Sequence, residues 1–91
     1  MADIALRLII EGRVQRVGFR YWTESQAAAR GLDGWVRNLP DGRVEALIAG
    51  PEAAVRDMVQ ACWQGPTMAR VAAVHEYPAE SPAEPGFRHY R

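Results

Sequence analysis

A chain of 91 residues, 48% hydrophobic and 24% charged, is long enough for one packed domain, expected to span 1–91, and too short for two separate cores. Its basic residues are all arginine, and eleven of them balance eleven carboxylates to zero formal net charge, so no broad attraction to nucleic acid or anionic lipid is encoded. Lone Cys62 excludes an internal disulfide, Asp3 and Arg7 interrupt the only N-terminal apolar run, and no stretch reaches the roughly 20 apolar residues of a membrane span. A soluble, cytoplasmic, monomeric protein is expected, held together by packing alone, and any anion binding must come from a local site.

In chain order, the apolar run from Ile4 to Ile10 reads as a strand, with Leu6, Leu8 and Ile10 on one face and Arg7, Ile9 and Glu11 on the other. Gly12 to Arg20 reads as a glycine-flanked turn. Tyr21 to Arg30 follows as a helix, because Gln26 to Ala29 are strong helix formers and Gly31 supplies a stop. Leu39-Pro40-Asp41-Gly42 separates two β-like runs, so residues 33–39 and 43–49 are predicted to form a hairpin, with Val44, Ala46 and Ile48 on one face. Gly50-Pro51 opens a second helix, whose Val55, Met58, Val59 and Cys62 fall at i, i+3, i+4 and i+7, and Gly65-Pro66 ends it. Arg70 to Tyr77 is β-like, but Val71 and Val74 break strict alternation and suggest a bulge. Residues 78–86 read as a loop and 87–91 as a last short strand. The order β-α-β-β-α-β predicts an α+β, ferredoxin-like split βαβ sandwich, two helices on one face of a four- to five-stranded antiparallel sheet.

The chemistry concentrates in the turn Gly12-Arg13-Val14-Gln15-Arg16-Val17-Gly18-Phe19-Arg20. A strand, a turn and then a helix start point several backbone N–H groups toward one spot, with the positive helix end behind them. Three arginines within that turn strengthen the expectation of a bound phosphate. Several phosphate chemistries are excluded by residue type. A Walker loop needs lysine, a dinucleotide fingerprint needs Gly-x-Gly-x-x-Gly, and both are missing. A cysteine phosphatase needs its thiolate six positions before the loop arginine, where this chain has Val14, while Cys62 sits on the apolar stripe of a helix. His75 and His89 lie far apart without companions at ligand spacing, so no metal and no cofactor are expected.

Amides and arginine without an evident acid, base, metal or nucleophile favour a reaction whose leaving group departs unaided. Ordinary phosphate esters expel poor alkoxides and need a metal or a proton donor. An acyl phosphate expels a stable carboxylate, so positioning and electrostatic stabilisation can suffice.

The nine-residue turn, followed by Gly31-Leu32-Asp33-Gly34-Trp35-Val36-Arg37-Asn38, Asp41-Gly42-Arg43-Val44-Glu45 and Gly50-Pro51, resembles the acylphosphatase family from Leu6 to about Val74. That resemblance implies metal-independent hydrolysis of the carboxyl–phosphate bond of a small-molecule acyl phosphate. It implies that Arg20 grips the phosphate, that Asn38 positions the attacking water, and that the amides of Val14, Gln15, Arg16, Val17, Gly18 and Phe19 cradle the phosphoryl oxygens. One position departs from the family pattern, which usually has glycine where this chain has Arg16. If φ is positive there, arginine costs on the order of 1–2 kcal/mol of local strain. A non-catalytic alternative is a domain that binds a phosphorylated or carbamoylated ligand with little turnover. A nucleic-acid module fares worse, because Arg43 to Ala49 offers no aromatic residue on which a base could stack.

Overall fold

Alternation along two neighbouring strands decides which side of the sheet is covered. The computed structural model describes residues 2–90, arranged as β1 (Asp3–Arg13), α1 (Phe19–Ala29), β2 (Asp33–Asn38), β3 (Val44–Pro51), α2 (Glu52–Gln64), β4 (Arg70–Pro78) and β5 (Phe87–His89). Leu8 and Ile10 of β1, and Val44, Ala46 and Ile48 of β3, are fully buried on the side that the helices cover. There they meet Phe19 and Ala27 of α1 and Val55, Met58, Val59 and Cys62 of α2. Each such aliphatic side chain contributes about 1.5–3 kcal/mol when fully buried, so this single layer of contacts dominates stability. The stripe expected on the second helix is the buried stripe observed.

The sheet order is β4-β1-β3-β2-β5. The first four strands pair antiparallel, as the β-α-β-β-α-β order predicts, whereas β5 runs parallel to β2, making the sheet mixed. Phe87 pairs with Gly34 and His89 with Val36. Three further bonds secure this edge, Gly34 N to Gly86 O at 2.9 Å, Gly86 N to the Asp33 carboxylate at 2.8 Å and Tyr90 N to Val36 O at 2.8 Å. Met1 lies outside the described residues, as does Arg91, the final residue of the predicted last strand.

Several boundaries differ from the sequence reading, and the last strand ends at His89, short of Tyr90. Strand β1 continues through Gly12 to Arg13, so the turn proper is shorter than the motif. The irregularity expected in β4 is real: Glu11 pairs with Ala73 but Gly12 with Val71, leaving Ala72 as the extra residue of a bulge. Gly12 has φ 126°, and a Cβ there would lie 2.1 Å from Arg70 O, so only glycine lets the two backbones pass this closely. Helix α1 starts at Phe19 rather than Tyr21, which puts Arg20 in its first turn. Pro51 sits just outside α2 as its N-cap, after ending β3.

Candidate active site

The turn between β1 and α1 is pinned at three apolar points. Val14 and Phe19 are buried in the core and Val17 packs against it, so the side chains between them are turned outward. Two left-handed residues make this possible, Arg16 at φ 63° and Gly18 at φ 79°. Alternating left- and right-handed residues in a short turn bring successive N–H groups to the same side, the geometry of an anion-binding nest. None of the amides of Gln15, Arg16, Val17 or Gly18 donates to another described backbone carbonyl. The first helical hydrogen bond runs from Trp22 N to Gly18 O, so the preceding amides of the first turn also lack helical acceptors. The positive end of the α1 dipole lies at the same place.

Beside this turn opens a cavity of about 170 Å³, lined by Val14, Arg16, Gly18, Phe19, Arg20, Tyr21 and Asn38. Of the residues singled out in the sequence, the fold therefore gathers Val14, Arg16, Gly18, Phe19, Arg20 and Asn38 around one space. Gln15 and Val17 do not line it. The Val17 side chain belongs to the packing. The Gln15 amide donates to Leu39 O at 2.7 Å and Arg43 O at 2.9 Å, tying the turn to the β2–β3 connection. Since Asn38 ends β2 one residue earlier, Gln15 braces the segment that carries Asn38 against the segment that carries the free amides.

Arg20 reaches the cavity from the first turn of α1. Its Nη1 donates to Tyr90 O at 2.7 Å, which leaves its other N–H groups available. Sequence reasoning missed Tyr90 because the C-terminal segment carries no recognisable motif; only the parallel pairing of β5 brings that carbonyl to Arg20. It also missed Tyr21, 68% exposed at the mouth, whose ring packs 4.4 Å from that of His89. His89 Nδ1 lies 3.0 Å from Glu24 Oε1, so this histidine braces β5 against α1.

Charge is distributed unevenly. The described ion pairs engage Arg7, Arg30, Arg37, Arg43, Arg56 and Arg88. Arg16 and Arg20 pair with no described carboxylate, and neither do Arg13 and Arg70, which face each other across β1 and β4. Among the described residues, the arginines without a carboxylate partner thus lie in this turn and at the β1–β4 ladder end that leads into it. Burial pushes the Cys62 thiol up to about 12, so it stays neutral and inert. The Asp41 carboxyl is held below its ordinary value by the Arg43 N–H and then by the Arg43 guanidinium, an anion fully engaged within its turn.

A second cavity, about 230 Å³, is lined by Trp35, Leu47, Pro82 and Tyr90 among others. Its one lining arginine, Arg88, is paired with Glu84, so it lacks the unneutralised charge that the first cavity has.

The acylphosphatase family model matches residues 6–89. An acylphosphatase of Nitrobacter hamburgensis is 55% identical over 84 residues, covering 92% of this chain and 85% of that protein. One of Acidiphilium cryptum is 52% identical over 84 residues, covering 92% of each chain. The crystal structure of the Bacillus subtilis acylphosphatase superposes with a TM-score of 0.91 at 38% identity, over 97% of this chain and 99% of that one.

Proposed function

The chain belongs to the acylphosphatase family, and on that premise we propose that the cavity beside the β1–α1 turn hydrolyses acyl phosphates with the chain's own residues as the catalytic machinery. The observation that carries the reading is a set of backbone amides, Gln15 to Gly18, left without described backbone acceptors beside an arginine and an asparagine that line the same cavity. The phosphoryl group of the substrate sits over these amides, and Arg20 grips it with the N–H groups that Tyr90 O leaves free. Asn38 holds a water on the side away from the leaving group, because an amide side chain can accept from that water and donate to it.

Water oxygen then forms a bond to phosphorus while the phosphorus–oxygen bond of the anhydride breaks. The bonding pair leaves with the carboxylate, and the water's protons end on the phosphate product and in solvent. A carboxylate is stable without protonation, so no general acid is needed at the leaving oxygen. Each hydrogen bond from an amide or guanidinium to the charged phosphoryl group contributes about 1.5–3 kcal/mol, and a few acting together supply much of the barrier lowering. In this reading the catalyst is a cytoplasmic monomer acting on a small molecule, and one chain supplies every group the cavity uses.

Hydrolysis of acetyl and benzoyl phosphate in EDTA tests it. Turnover is expected to persist under chelation and to fall roughly 10²–10³-fold in Asn38→Ala, the loss typical of removing one positioned hydrogen-bonding group. Tight inorganic phosphate binding without turnover in the wild type would instead favour the ligand-binding alternative.

A further inference from the structure

Arg16 occupies a left-handed conformation that arginine seldom adopts, lines the cavity, is exposed, and pairs with no described carboxylate. The phosphate is already provided for. Arg20 is half-buried and oriented by Tyr90 O, and the amides of the turn lie beside it. A second guanidinium on a long flexible stem at the rim is placed to meet whatever extends beyond the phosphoryl group, and that is the acyl portion. A cation recognises an anion there. Arg13 and Arg70, also unneutralised and adjacent across the β1–β4 ladder, raise the positive potential on this side of the molecule.

We propose that Arg16 selects acyl phosphates whose acyl portion carries a second anionic group, such as a carboxylate a few bonds from the anhydride. This rests on the reaction assigned above and names the substrate class within it. A solvent-exposed ion pair is screened, so the preference is modest and salt-dependent.

The test is kcat/KM for succinyl phosphate against butyryl phosphate, which differ by the distal carboxylate. The wild type is expected to favour succinyl phosphate by roughly three- to tenfold at low ionic strength. In R16Q and R16G the ratio should fall toward one, and added salt should shrink it in the wild type only. An unchanged ratio in both variants would overturn the proposal. So would a loss of inorganic phosphate affinity in R16Q as large as the loss for the dianionic substrate, since Arg16 would then serve the phosphoryl group itself. Calorimetric binding of 4-phosphonobutyrate against propylphosphonate provides a second arm that needs no turnover. If the wild type hydrolyses neither substrate, the reaction assignment fails, while this arm still decides whether Arg16 reads a distal carboxylate.

Discussion

Arg7 and Arg37 approach Glu45 from two sides at 3.0 and 2.6 Å, while Arg16 and Arg20 line a cavity with no described carboxylate beside either. The first set is satisfied twice over. Arg7 also lies over the Tyr77 ring and Arg37 over that of Trp35, so the uncovered face of the sheet closes its polar groups on one another. At the turn, one bond to a backbone carbonyl orients Arg20, and no described carboxylate neutralises it. The same residue type does two jobs, and the difference lies in which partners the fold supplies. Arg7 and Arg37, given a carboxylate, tie β1 and β2 to β3; in the reading proposed above, Arg16 and Arg20 are left for an anion from outside.

The sharpest way to break this contrast is to remove one arginine from each set. Arg20→Gln is expected to lower kcat/KM for benzoyl phosphate by about 10³-fold, through loss of a charged donor at the phosphoryl oxygens. Arg37→Gln should leave kcat/KM within about twofold, because its partner Glu45 keeps Arg7 and the pair touches no substrate. Thermal unfolding of both variants shows that each is folded. Comparable activity losses in the two would erase the distinction.

A smaller effect is expected one step away from the chemistry. Gln15→Leu removes both bonds that join the turn to the Leu39 and Arg43 carbonyls, letting Asn38 drift relative to the amides. A displacement near 1 Å can cost on the order of 10² in rate, and kcat is expected to fall roughly 10–100-fold with KM for acetyl phosphate little changed. A variant that raises KM alone would show that the Gln15 side chain, and not only its backbone amide, serves phosphate binding. Smaller again is Glu45→Gln. Glu45 is only 7% exposed, but both of its arginines are half in water, so the loss is expected at about 1–2 kcal/mol of unfolding free energy by urea titration, with turnover unaltered.

What the sequence could and could not show follows from the range of each signal. The faces of β1 and β3 and the stripe of α2 were legible because a period of 2 or 3.6 is written into consecutive residues and the core obeys it. The hairpin was legible because Pro40, Asp41 and Gly42 act locally. Strand β1 running past Gly12 was not, since its last residues are held by pairing with β4, nearly 60 positions away. For the same reason the second job of Gln15, its side chain, was not read: its two acceptors lie 24 and 28 residues further on. The contact of Tyr90 with Arg20 spans 70 positions and depends on β5 pairing parallel, which no local pattern of Phe87 to His89 announces.

Arg16 was legible as an oddity, and its φ of 63° turns the oddity into a stability prediction. A left-handed arginine costs on the order of 1–2 kcal/mol, and glycine relieves it. Glycine also gives the unfolded chain more freedom, which returns about 0.4–1 kcal/mol, so R16G is expected to be more stable by about 0.5–1 kcal/mol. For a domain of this size that is a rise in Tm of a few degrees. Gly18→Ala supplies the opposite sign. A Cβ at Gly18 meets nothing within 4 Å, so its cost is backbone strain at φ 79° alone, about 1 kcal/mol. Charge offers a rival account of any gain in R16G, because Arg13 and Arg20 lie close in sequence and all three repel. R16A separates the two: it removes the charge but keeps the Cβ that makes a positive φ costly. If R16A gains as much as R16G, repulsion among the arginines is the cause and the backbone carries little strain. If only R16G gains, the chain holds a guanidinium at the mouth of its cavity against its own conformational preference.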